Sequence, residues 1–352
     1  MSGNHFYKRI SIIILLIFSI SICSSPLSVN AEETKKYIPG GIPFGMSIDL
    51  EGIYVSGYSD QPELIGKANP AAKSGVVPGD IIKSVNGVQV QSGNELTRLI
   101  NEAGTSPLNL TVKRSEGEIT IRATAKKCND GIYRLGINIK DSIAGIGTVT
   151  YISADDGSFG GLGHGICDAY TGQVLPIKKG TVCDVRISET VKGQKGAPGE
   201  IRGGFSIKRT GGLLKNTDRG VFGILNEYSD CNSTPIETAT KDEVRCGVAE
   251  MICTLDDTGP HRYSVVIESS SLDESVKTRN FIIKVTDNAL LEKTGGIIQG
   301  MSGSPIIQNG KLVGAVTHVL VNDPTRGYGI FIENMLETAN QVAEEQAKKD
   351  AS

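Results

Sequence analysis

Six consecutive residues, Gly300-Met301-Ser302-Gly303-Ser304-Pro305, set a serine between glycines just after the apolar pair Ile297-Ile298. Glycine lets the backbone turn sharply and bare its N–H groups. A serine hydroxyl on such a turn can attack an acyl carbon, and the N–H groups of Gly300 and Ser302 can receive the oxyanion that forms. The serine needs a base. The histidines are His5, His164, His261 and His318. His5 lies in an apolar leader, and His261 follows Gly259-Pro260 and reads as a surface loop. His318 lies on the strand expected to hold the substrate and is poorly placed to serve as base; its side chain either lines a specificity pocket or simply packs. His164, in Gly160-Gly161-Leu162-Gly163-His164-Gly165-Ile166-Cys167-Asp168, has glycines on both sides and is the expected base. Its second ring nitrogen needs an acceptor, to fix the tautomer and stabilise the imidazolium. Asp155, Asp156, Asp168 and Asp287 are the candidates, and spacing alone leaves the choice open. No C-x-x-C pair occurs, so no metal is expected, and no cofactor either. An esterase on the same residues would show a Gly-x-Ser-x-Gly elbow and α/β alternation, and both are missing.

The elements that must carry these residues read as β-structure. Ile306 to Thr317 is strand, tight turn and strand, and Asn309-Gly310 favours a type I′ hairpin because both residues tolerate positive φ. With the glycine-flanked serine before it, this segment resembles the nucleophile region of chymotrypsin-like serine peptidases. The resemblance implies that the returning strand, Val316, Thr317, His318 and Val319, binds the substrate backbone by β-pairing. Further strands are expected over residues 132–139, 147–152, 181–188, 263–268 and 281–285. Residues 193–204 are glycine-rich and read as a loop, and 333–349 as a helix. The 43 glycines, the frequent valine and isoleucine and the absence of tryptophan agree with a mainly β fold rich in turns.

Ahead of this region, residues 32–40 read as a linker and 40–127 as a compact unit. Ala72-x-x-Gly75-x-x-x-Gly79-Asp80-Ile81-Ile82 and Asn86-Gly87 resemble a PDZ domain of the bacterial protease-associated type. Leu96, Leu99 and Ile100 recur at helical spacing, as one wall of a peptide groove requires. Phe44-Gly45-Met46 resembles the loop that receives a peptide carboxylate, so a peptide ligand is an expected partner.

The N-terminus reads as an export signal. Lys8 and Arg9 precede an apolar run over 10–23, and Val29-Asn30-Ala31 offers small residues for cleavage. The run is shorter than the roughly 20 residues of a comfortable membrane span, which favours a signal peptide over an anchor. Six cysteines remain beyond it, expected as mostly free buried thiols with at most one bridge. A net charge of −3 with scattered Lys and Arg offers no footprint for nucleic acid. The expected division is 1–31 signal peptide or anchor, 32–127 linker and PDZ-like domain, and 128–352 a chymotrypsin-like double β-barrel with a C-terminal helix.

The combination of a PDZ-like unit, Gly163-His164-Gly165-Ile166 and the block from Thr294 to Lys311 resembles the stage IV sporulation protein B family of serine peptidases. The resemblance implies an endopeptidase exported across the forespore membrane into the intermembrane space. There it cleaves itself and a membrane-anchored regulator, triggering intramembrane proteolysis and activation of a mother-cell sigma factor. It places the histidine on His164, the nucleophile on Ser302 and the essential aspartate on Asp287, with Asp168 in reserve. The alternative is a non-catalytic PDZ adaptor on a peptidase-like scaffold.

Overall fold

The computed structural model describes residues 35–351 apart from 67–68, 115–116, 227–233 and 274, so the export segment lies outside the described residues. Two long strands, Pro43–Tyr58 and Ile137–Ser153, organise the N-terminal half. In the first, Phe44, Met46, Ile48 and Leu50 are buried while Ser47 and Asp49 are exposed, the period of two that puts alternate side chains on one face. Residues 43–49 pair with 142–148 on one edge, and 44–50 pair with 177–184 on the other. The strands Ile177–Val191, Glu200–Thr217, Gly220–Leu225 and Ser158–Gly161 follow in order and return to Ile137–Ser153. These six strands form a ring around a core that includes Phe44, Phe159, Val182 and Val221.

Beyond Leu50 the same two strands leave the barrel together. Residues 54–58 pair with 137–140, and Ile53-Tyr54 pair with Ile81-Ile82 at the edge of a smaller sheet made by Ile81–Val85, Leu108–Arg114 and Gly117–Ala123. The helix Gly93–Ala103 turns Leu96 and Ile100 into that sheet's core, which is separate from the barrel core. The PDZ-like unit is therefore an outgrowth between two barrel strands, not a bead that precedes the barrel. This corrects the expectation for Phe44-Gly45-Met46. With both strand edges paired, these residues have no free backbone N–H groups to receive a carboxylate. Phe44 is 3% exposed and stacks edge-on against Phe159 with centroids 5.6 Å apart. A Cβ at Gly45 would lie 2.6 Å from the Phe205 ring.

The second half closes a barrel of its own from Gly247–Thr254, Pro260–Ser270, Phe281–Val285, Arg326–Phe331, Lys311–Val319 and Pro305–Gln308. Asn309 and Gly310 have φ of 52° and 76°, as the type I′ turn demands. Between the barrels lie Tyr151, Phe222, Ile252, Leu312 and Ile330, and the terminal helix Ile332–Asp350 adds Met335 and Val342 to the same cluster. The fold is mainly β, a double barrel carrying a PDZ domain, as expected. Among the described residues five cysteines are free: Cys128 and Cys253 are buried, Cys183 half-buried, and Cys167 and Cys246 exposed.

Candidate active site

The nucleophile turn is built from the helix Asn288–Thr294 onward. The helix ends at Gly295, the chain buries Ile297 and Ile298, and the turn closes with the Ser304 N–H donating to Met301 O at 2.9 Å. The second barrel then hangs this turn on one strand of the first. Thr148 N–H donates to Ser302 O (3.0 Å), Thr148 Oγ1 to Gly300 O (2.6 Å) and Thr150 Oγ1 to Gly303 O (2.8 Å). Gly303 sits at φ 96°, and a Cβ there would meet Thr148 O at 2.0 Å, so only glycine fits. The histidine turn hangs from the same residue: Leu162 N–H donates to Thr148 O at 3.2 Å, and Leu162 and Gly163 both adopt left-handed backbone before His164. Thr148 thus ties both turns to one point.

The two side chains face one cleft of about 510 Å³, lined also by Thr317, His318 and Val319 and walled by Ile297, Ile298 and Val321. Val316, expected beside them, is fully buried and does not reach it. Ser302 Oγ donates to Thr317 O at 2.7 Å. His164 Nδ1 lies 2.9 Å from Gly165 O. A carbonyl can only accept, so the Nδ1 carries the proton and Nε2 holds the free lone pair. Burial lowers the His164 pKa below the usual imidazole value, and the bond to Gly165 works in the opposite direction. The His318 ring lies 4.6 Å from the His164 ring, tilted by 35°. Burial first, then the neighbouring His164 and Arg279, push the His318 pKa down to about 4. His318 Nδ1 is buried with no partner among the described residues. No described carbonyl accepts the N–H of Gly300 or of Ser302.

The expected carboxylates are elsewhere. Asp287 caps the helix Asn288–Thr294, its Oδ1 accepting from Leu290 N–H at 3.0 Å and its Oδ2 from Ser264 N–H at 3.3 Å. Asp168 is 1% exposed and ion-paired with Lys140 at 2.8 Å, and it accepts from Tyr170 and Thr171. Burial would raise its pKa, but these donors outweigh it and the net shift is downward. Asp156 caps the turn before Ser158. His261, expected in a loop, is on a strand and bonds Thr258 Oγ1. Asp287 is therefore not brought to His164; the acceptor on Nδ1 is the Gly165 carbonyl. Among the described residues no three His, Cys, Asp or Glu side chains gather where a metal ion could sit. The sequence reading missed Thr148 and the carbonyls of Gly165 and Thr317, which act through backbone or a common hydroxyl and leave no signal of residue type.

Residues 131–336 match the SpoIVB peptidase S55 family and residues 64–114 match a PDZ domain. None of the curated proteins matches. Among solved structures, the PDZ domain of an SdrC-like protein from Listeria monocytogenes is 20% identical, covering 26% of this chain and 90% of that one, with a TM-score of 0.22. The HtrA-type protease AlgW with decapeptide is 15% identical over 60% of this chain, with a TM-score of 0.35, and the match spans only 57% of that protease. Rv3671c from M. tuberculosis, in an inactive form, is 14% identical over 57% of this chain and 83% of its own, with a TM-score of 0.31.

Proposed function

From the chain's membership of the SpoIVB peptidase S55 family, and hence its identity as a serine peptidase, we propose that Ser302 is the nucleophile and His164 the general base of an endopeptidase. The observation that carries this reading is that the two side chains line one cleft between the barrels, each on a turn tied to Thr148. Rotation of the Ser302 hydroxyl away from Thr317 O turns its proton toward His164 Nε2, which is free because Nδ1 donates to Gly165 O. Ser302 Oγ then bonds to the substrate carbonyl carbon, and Nε2 takes the proton. The oxyanion lies against the N–H groups of Gly300 and Ser302, and Nε2 returns the proton to the leaving amine as the acyl-enzyme forms. Water repeats the sequence to release the acid. The substrate backbone lies along Thr317, His318 and Val319.

The substrates of this reading are the chain itself and a membrane-anchored regulator, cut outside the cytosol in the space between the forespore membranes to start sporulation signalling. The apolar leader and the PDZ domain support it: one delivers the enzyme across a membrane, and the other takes a peptide as an added strand. In this reading the PDZ domain gates the site, and the strand Pro43–Tyr58, which belongs to both it and the first barrel, supports that role. The deciding experiment is hydrolysis of casein and self-cleavage by purified full-length chains carrying Ser302→Ala or His164→Ala. Activity should vanish in both. Full activity in the Ser302→Ala chain would refute Ser302 as the nucleophile, and absence of both activities from the wild-type chain would leave the non-catalytic adaptor reading in its place.

A further inference from the structure

The hairpin formed by Ile177–Val191 and Glu200–Thr217 belongs to the first barrel, but its tip lies on the second. Gly193 N–H donates to Thr294 O and Gly196 N–H to Val321 O, each at 2.8 Å. Gln299 N–H donates to Gly199 O, and Ile201 N–H donates to Gln299 O, again at 2.8 Å. Glu200 and Gln299 run side by side as a parallel bridge. Both backbone polar groups of Gln299, the residue before the expected oxyanion glycine, are therefore held by a hairpin from the other barrel.

That placement has a stereochemical consequence. Gln299 C=O and Gly300 N–H belong to one planar peptide unit, and the described chain contains no cis bonds. Fixing the carbonyl by Ile201 N–H aims the Gly300 N–H the opposite way. A flip of this plane would break the Ile201 bond and turn a carbonyl oxygen toward the place where an oxyanion must sit. The Ile201 side chain adds a second restraint. It is 7% exposed and packs in the core of the second barrel. The position a Cβ would take on Gly300 lies 3.0 Å from Ile201 Cβ and 3.2 Å from its Cγ1 and Cδ1. Gly300 itself sits at φ 98°.

We propose that Gly199–Ile201 positions the oxyanion hole: the Ile201 N–H sets the plane of the Gln299–Gly300 peptide, and the Ile201 side chain, packed against Gly300, is needed to hold it there, so that Gly300 N–H donates to the tetrahedral intermediate. Ile201 touches neither substrate nor nucleophile, so it is a positioning residue, and the inference rests on Ser302 being the nucleophile. An element that acts only on the oxyanion is felt in the transition state and not in ground-state binding, so it changes kcat and leaves KM alone.

The test uses the full-length chain with casein as substrate and phenylboronic acid as inhibitor, since boron forms a tetrahedral adduct on a serine hydroxyl. Loss of one oxyanion donor costs about 100- to 1000-fold in kcat, and loosening one costs part of that. Ile201→Ala should lower kcat by at least roughly tenfold, leave KM within about twofold, and weaken phenylboronate inhibition in step with kcat. Ile201→Val, which removes one methyl group and keeps the fold, should fall between Ile201→Ala and wild type in both readouts. If Ile201→Val and Ile201→Ala melt as folded chains but retain wild-type kcat and phenylboronate affinity, the inference is overturned. So it is if Ile201→Ala does not fold and Ile201→Val keeps both values. A Ser302→Ala chain as active as wild type overturns the nucleophile assignment instead, which separates the two failures.

Discussion

Replacing Asp287 distinguishes a helix cap from a member of the catalytic machinery. Its carboxylate accepts from Leu290 N–H at 3.0 Å and from Ser264 N–H at 3.3 Å, so it closes the first turn of the helix that leads into the nucleophile segment. Removing the cap costs about 1 kcal/mol, and losing the second bond to a backbone donor costs about 1 more. Asp287→Ala should therefore lose about 2 kcal/mol and, at about 2–4 °C per kcal/mol for a large domain, melt some degrees lower. Asp287→Ser and Asp287→Asn keep a capping oxygen and should lose about half as much. Against a total stability of about 5–15 kcal/mol, all three chains remain folded at room temperature, and kcat should stay within about threefold of wild type. A carboxylate that orients the histidine behaves differently: its amide variant loses about 10⁴ in kcat with the fold intact. Casein hydrolysis beside calorimetric melting measures both quantities on the same protein. An Asp287→Asn chain that melts like wild type but has lost a thousandfold or more in kcat would refute the cap assignment and put the carboxylate in contact with His164 during turnover.

Three further outcomes follow from the geometry. Phe44→Ala should destabilise the first barrel by about 3–5 kcal/mol, read as a lower melting temperature, without selective loss of peptide binding by the PDZ domain in a fluorescence titration. Selective loss of peptide binding would restore the carboxylate-loop assignment. Because burial lowers the His164 pKa and the base must be neutral, the acid limb of the kcat/KM profile should have its midpoint below the ordinary imidazole value of 6.5; a midpoint above 6.5 contradicts the site as described. Since Asp49 pairs with Ser142, joining Leu50 to Asp141 through an Asn-Gly turn removes the PDZ domain while keeping every barrel strand. The shortened chain should still show the cooperative melting of the double barrel but self-cleave at an altered rate, and an unaltered rate would exclude gating by the PDZ domain.

The features legible in the sequence were those written in neighbouring residues. Asn309-Gly310 specifies its own turn, Leu96, Leu99 and Ile100 specify a helix face, and the glycines around Ser302 and His164 mark turns whatever lies beyond them. The pairing of strand edges is not local. Alternation marks residues 43–50 as strand, but only their partners at 142–148 and 177–184 make them barrel wall rather than peptide-binding loop. Glu200–Thr217 was hidden differently: its start, with Gly203 and Gly204, reads as loop, and it forms strand because residues 200–205 pair with 185–191, while only its end, 211–217, pairs along the other edge as well. The signal for Asp287 was present but outweighed, because an aspartate directly before Asn288-Ala289-Leu290-Leu291-Glu292 is a helix N-cap, whereas the family resemblance placed the essential aspartate there.

The remaining gap has one physical origin. Much of what arranges this site is main chain: Gly165 O on the imidazole, Thr317 O on the serine hydroxyl, and the Gln299–Gly300 peptide held by Ile201. Every residue carries an N–H and a C=O, so residue types cannot announce which of them will face the reacting atoms. Their one trace is negative, a missing side chain where backbone must approach backbone. A Cβ on Gly303 would strike Thr148 O, and a Cβ on Gly300 would press on Ile201. The glycines next to Ser302 therefore do more than free the turn that presents it. They allow the first barrel to touch the second at the nucleophile itself, which is why a peptide plane in one barrel can be set by a hairpin from the other.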